Sequence, residues 1–201
     1  MFDFIRKIIA PALCLVALLV LPGCDSTPTT YSIKAYSGGE VVGNFEAASY
    51  GSGEGRIYAN LANGRKHAIG GTFSVHRTDP SAANNTARAT KYVAQLYSGG
   101  KVVETVNASS YSGGDGKVFL TVSNSAQVIF GGTYVLRNIG ANVDGISDGA
   151  KYKVTVYSDG VLIGTWHADS YSTGDDKIIL TVNGISSALI IGGDYVVEQF
   201  R

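Results

Sequence analysis

The sequence predicts an all-β fold: three tandem repeats, each of five short antiparallel strands arranged as a small barrel or an open meander. The first observation behind this is a recurrence of markers. Tyr97-Ser98-Gly99-Gly100, Ser110-Tyr111 with Gly114-Asp115-Gly116-Lys117, and Gly131-Gly132-Thr133-Tyr134 have counterparts 61 residues earlier. These are Tyr36-Ser37-Gly38-Gly39, Ser49-Tyr50 with Gly53-Glu54-Gly55-Arg56, and Gly70-Gly71-Thr72-Phe73. They return 60 or 61 residues later as Tyr157-Ser158-Asp159-Gly160, Ser170-Tyr171 with Gly174-Asp175-Asp176-Lys177, and Gly192-Gly193-Asp194-Tyr195. A fixed period of this kind marks a repeat architecture. The second observation is composition: 26 Gly and 12 Tyr but only 4 Pro in 201 residues, which favours strands and tight turns. The third is a period-two alternation between turn signals, clearest in the last copy.

In chain order, residues 1–23 come first. Arg6 and Lys7 precede an apolar run from Ile8 to Leu21 that is short for a membrane-spanning helix and has the layout of a secretory signal. It ends in Leu21-Pro22-Gly23-Cys24. This stretch resembles the lipobox of bacterial lipoproteins, with Leu three before and Gly one before the modified Cys; Pro22 departs from the usual Ala or Ser. The resemblance implies that Cys24 becomes the acylated first residue of the mature chain. Several acyl chains would anchor it stably to a membrane. Asp25 is similar to the inner-membrane retention signal of Gram-negative lipoproteins, which favours the periplasmic face of the inner membrane within a bacterial cell envelope, with the outer membrane as the other location. Residues 24–30 then form a short polar tether.

Three units follow at 31–77, 92–137 and 152–201. Units this small bury too little surface to be secure alone, so each needs a closed barrel or its neighbours. In the third, Tyr152 to Tyr157 alternates as a half-buried strand, and Asp159-Gly160 fits a two-residue hairpin with positive φ at both positions. A long second strand from Val161 to about Ser170 suits a bent strand shared across a small barrel. Lys177 to Val182 is the third strand, Asn183-Gly184 a turn and Ala188 to Ile191 the fourth strand. Gly192-Gly193 bends the chain before the fifth, Tyr195 to Phe200. This order resembles the SH3-like domain of small envelope lipoproteins, a resemblance that carries over no functional residue. The segments 78–91 and 138–151, rich in Ala, Asn, Asp, Gly and Ser, read as exposed linkers.

The charge balance excludes one partner class. The chain has 16 basic and 16 acidic residues, and removal of the leader leaves 14 and 15. No basic block exists to follow a phosphate backbone, so no nucleic acid is expected. Cys14 lies in the leader and Cys24 carries lipid, so the mature chain has no thiol for a disulfide or a metal.

Three sets of residues are candidates for chemistry. Tyr50, Tyr111 and Tyr171 could stack on sugars or peptide prolines, against the simpler reading of amphipathic residues at a barrel edge. Trp166, the one Trp, has Phe45 and Val106 as counterparts, which reads as core; exposed, it would mark a binding unit. Glu54, Asp115 and Asp175 stand two before Arg56, Lys117 and Lys177, a spacing expected to give weak surface ion pairs. Their turns offer too few oxygen ligands for calcium. The Gly-Gly pairs lack a following helix and a phosphate-binding Lys, and His67, His76 and His167 occupy non-equivalent positions. No cofactor, metal or catalytic residue is predicted. The expected function is binding or scaffolding of envelope proteins or glycans. The alternatives are a rigid spacer or self-associating assembly and, third, a hydrolase of envelope polymers.

Overall fold

The computed structural model describes residues 30–78, 89–123, 126–146 and 148–200. The leader, Cys24 and Asp25 lie outside the described residues, as does most of the segment 78–91. The described chain is all-β. The first repeat contributes β1 (Tyr31–Ser37), β2 (Glu40–Gly53), β3 (Arg56–Leu61), β4 (Lys66–Gly70) and β5 (Thr72–Arg77). The second contributes β6 (Tyr92–Ser98), β7 (Lys101–Ala108), β8 (Ser110–Gly114), β9 (Lys117–Thr121), β10 (Gln127–Gly131) and β11 (Thr133–Asn138). The third contributes β12 (Tyr152–Ser158), β13 (Val161–Ala168), β14 (Ser170–Gly174), β15 (Lys177–Val182), β16 (Ile185–Gly192) and β17 (Asp194–Gln199).

Local chemistry sets the turns. Gly38-Gly39, Gly99-Gly100 and Asp159-Gly160 all have positive φ at both positions, as a tight hairpin compatible with strand twist requires. The long second strand is continuous only in the first repeat, where a register shift between Ala47 and Ser49 bends it. In the third repeat the expected single strand from Val161 to Ser170 is broken at Asp169, and the second repeat is broken likewise at Ser109. There the amides of Ser109 and Asp169 donate to the carbonyls of Thr121 and Thr181, at 2.8 and 2.9 Å, so the corner is still hydrogen-bonded.

The repeats are not separate sheets. One eight-stranded sheet runs β4, β3, β2, β1, β5, β10, β9, β8; a six-stranded sheet runs β14, β15, β16, β11, β6, β7; a three-stranded sheet runs β13, β12, β17. None closes into a barrel. The next-to-last strand of each later repeat pairs antiparallel with the last strand of the repeat before it. Phe73 stands opposite Gly131, with Val75 opposite Ile129; Tyr134 stands opposite Gly192, with Leu136 opposite Ile190.

The cores follow the same exchange. Ile129 of the second repeat packs with Ile33, Ile57, Phe73 and Val75 of the first. Ile190 of the third packs with Leu96, Leu120, Tyr134 and Leu136 of the second. The segment 138–151, expected to be an exposed linker, instead buries Ala141, Val143 and Ala150; Ala141 and Val143 join the third core. Polar composition concealed a few small apolar residues placed at intervals, each removed from water.

Candidate functional site

The three expected aromatic positions are equivalent in space as well as in sequence. Each makes an edge-on pair with the first Tyr of its repeat: Tyr31 with Tyr50 at 4.9 Å, Tyr92 with Tyr111 at 5.1 Å, and Tyr152 with Tyr171 at 4.9 Å between ring centres. Edge-to-face contact is the arrangement the ring quadrupoles favour. Tyr50 and Tyr111 pack against the first and second cores, while Tyr171 is 42% exposed. Burial, then the neighbouring phenol, holds the Tyr50 and Tyr92 hydroxyls above their ordinary pKa. These pairs close repeat corners, and the face they leave to solvent differs from copy to copy.

Trp166 is half-buried and packs against the third core. Its ring covers Gly164, where a Cβ would overlap it, as the Phe45 ring covers Gly43. In the second repeat this Gly-plus-ring arrangement is replaced by Glu104 with Val106. The sequence reading missed Glu104, although an acid at a position held by Gly in both other copies was its visible signal.

Glu104 sits at the first junction. His76 Nε2 bonds its Oε1, and the Tyr36 hydroxyl donates to its Oε2 at 3.1 Å. Ser74, fully buried, has its hydroxyl 3.4 Å from that of Tyr36. Burial works to raise the Glu104 pKa, but the hydrogen bonds from His76, Ser74 and Tyr36 outweigh it and hold the carboxyl below its ordinary value. Serine, histidine and an acid are thus together, yet the Ser74 hydroxyl is turned to Tyr36 and the carboxylate. A nucleophile needs its hydroxyl on the base. What the cluster does chemically is hold β5 of the first repeat to β7 of the second.

The acid–base turns also differ from expectation. Lys117 is only 2% exposed, and its Nζ donates to Gly53 O at 2.6 Å and Asp115 O at 2.9 Å. Lys177 Nζ donates to Gly113 O at 3.3 Å and to Asp175 Oδ2 at 3.2 Å. Both lysines reach back to a turn of the preceding repeat, and Lys177 also makes the expected ion pair with Asp175. The sequence spacing showed the local acid two residues away and could not show the distant carbonyl. Arg56, with no repeat before it, is exposed.

The Gly-Gly bends have two separate jobs. The second Gly takes positive φ at Gly71, Gly132 and Gly193, which glycine adopts without steric cost. The first, at Gly131 and Gly192, is overlaid by the ring of Phe73 or Tyr134 from the preceding repeat, so that a Cβ would collide with it. A cavity of about 1010 Å³ is bordered by these bends, by the turns at Gly55, Gly116 and Asp176, and by Tyr195. Asp159, Asp176 and Asp194 line it, and Asp159 Oδ2 accepts from Gly99 N at 2.6 Å. Among the described residues no three His, Cys, Asp or Glu side chains are grouped to hold a metal. His67 and His167 lie apart, against Phe45 and Phe200.

No protein-family model, curated protein or solved structure was found to match this chain.

Proposed function

We propose that this protein is a non-catalytic scaffold of the bacterial cell envelope, anchored by lipid on Cys24 and acting as one interlocked body rather than three independent modules. The observation that carries the reading is the exchange of strands: β10 completes the first repeat and β16 the second. Side chains that a modular binder would offer to ligands are spent on the junctions, Lys117, Lys177 and Glu104 among them. The small-barrel resemblance of each repeat belongs to the same proposal. It is supported by the second strand, which pairs with the first strand on one side of its bend and the third on the other.

Anchoring rests on Leu21-Pro22-Gly23-Cys24, and Asp25 favours the periplasmic face of the inner membrane over the outer membrane. A chain fixed to the bilayer at one end would hold envelope proteins or glycans at a set distance. Labelled palmitate should enter the wild-type chain and not Cys24→Ala. Scattering from the full chain in detergent should fit one set of dimensions for the folded part. Absence of label, or a broad spread of dimensions, would overturn the reading.

A further inference from the structure

The two ends of the repeat array are complementary to each other. We propose that β17 of one copy pairs antiparallel with β4 of a second copy, so that chains associate head to tail through the contact already made twice inside each chain. This deepens the scaffold reading and rests on it.

The register follows from the two inner junctions. Tyr195 corresponds to Phe73 and Tyr134, and Gly70 to Gly131 and Gly192. Tyr195 therefore falls opposite Gly70, Val196 opposite Ile69, Val197 opposite Ala68 and Glu198 opposite His67. The exposures agree with a missing neighbour. Val196 is 49% exposed, whereas its counterparts Ser74 and Val135 are 0% and 3% exposed. Ala68 is exposed, whereas Ile129 and Ile190 are buried. Gly70 is a vacant seat: a Cβ there would meet only the Arg56 side chain, at 3.4 Å. Arg56, whose counterparts Lys117 and Lys177 reach a turn of the preceding repeat, would approach the acidic turn at Asp175 and Asp176. Unpaired strand edges are templates for such addition, and a heterologous contact of this kind continues from copy to copy. Among the described residues no strand pairs with the outer edge of β4 or of β17, and Gly70 of the one and Tyr195 of the other line the cavity described above.

The test uses the full chain in detergent, with sedimentation read across concentration. Wild type should form dimers and longer species. Gly70→Val, which fills the seat and spares the chain's own packing, and Val196→Lys, which charges the opposite edge, should each weaken association at least about tenfold. The two variants mixed should give dimers that grow no further, since each retains one competent edge. With His67→Cys and Glu198→Cys in one chain, oxidation should yield a ladder of cross-linked species. A wild type that stays monomeric, association untouched by both variants, or a cross-link confined to single chains would overturn the proposal. The monomeric result would leave the scaffold reading standing, whereas loss of the single set of dimensions would sink that reading whatever the association.

Discussion

The two inner junctions and the two outer edges are made from corresponding residues and behave oppositely. Inside the array, Phe73 and Tyr134 lie over Gly131 and Gly192, and Lys117 and Lys177 are drawn into the preceding repeat. At the edges of the described array, Gly70, Tyr195 and Arg56 hold the same positions with no partner repeat among the described residues. Burial here is thus a property of position in the array more than of residue type: a lysine is 2% exposed at position 117 and its arginine counterpart at 56 is exposed. Repeat arrays gain stability from such nearest-neighbour contacts. The end repeats lack one set each.

Substitution at corresponding glycines should separate the two regions most sharply. Gly131→Val and Gly192→Val force a side chain into a ring and should each cost about 1 to 3 kcal/mol, the range for overpacking a filled site. Gly70→Val should stay within about 0.5 kcal/mol, as expected of an open surface site. Chemical denaturation of the three variants measures the contrast, and equal losses at all three would break it.

Smaller effects distinguish the two junctions from each other, because among the described residues the first contains the partly buried carboxylate of Glu104. Glu104→Gln should cost about 1 to 3 kcal/mol, the range for disturbing a buried hydrogen-bonded charge. The folded-state pKa of Glu104 is depressed, so its contribution is complete above the ordinary carboxylate value. It is lost as pH falls through that value, about 4.5, towards the lower folded one. Melting temperatures of wild type and Glu104→Gln should therefore converge as pH falls through this window. A gap that stays constant would remove the carboxylate from the account.

The smallest contrast is at the turns. Lys117→Met leaves the Gly53 and Asp115 carbonyls without their donor and should cost about 1 to 2 kcal/mol. Arg56→Met should change stability little. The same denaturation measurement decides, and a loss at Arg56 as large as at Lys117 would show that array position does not matter.

Much of each repeat was legible because it is local. Asp159-Gly160 set a hairpin, and Lys177 to Val182 emerged as β15 with the expected bounds. Strand exchange was not legible from turns, since pairing between repeats is chosen by surfaces that meet only after folding. A trace of it was nonetheless present in the next-to-last strands. Val128-Ile129-Phe130 and Leu189-Ile190-Ile191 are apolar on both faces, as centrally placed strands are, whereas the first copy reads His67-Ala68-Ile69. The interrupted second strand and the packing of Ala141 and Val143 had weaker signals, because both depend on contacts made only in the folded chain. Of the candidate residues, Trp166 is half-buried against the third core, as core apolarity predicted, and Tyr171 is the most exposed of the three tyrosines. Their recognition of any ligand is a separate matter from the packing they provide.

Interlocking of the repeats is the central claim, and Trp166 allows it to be read directly, since the one Trp lies in the third repeat. Phe73→Ala in the first repeat should cost about 3 to 5 kcal/mol and empties a seat filled by the second. Unfolding of this variant followed by Trp166 fluorescence should shift together with the far-ultraviolet signal in a single transition. A Trp166 transition left at its wild-type midpoint while the far-ultraviolet signal splits in two would show that the repeats fold independently.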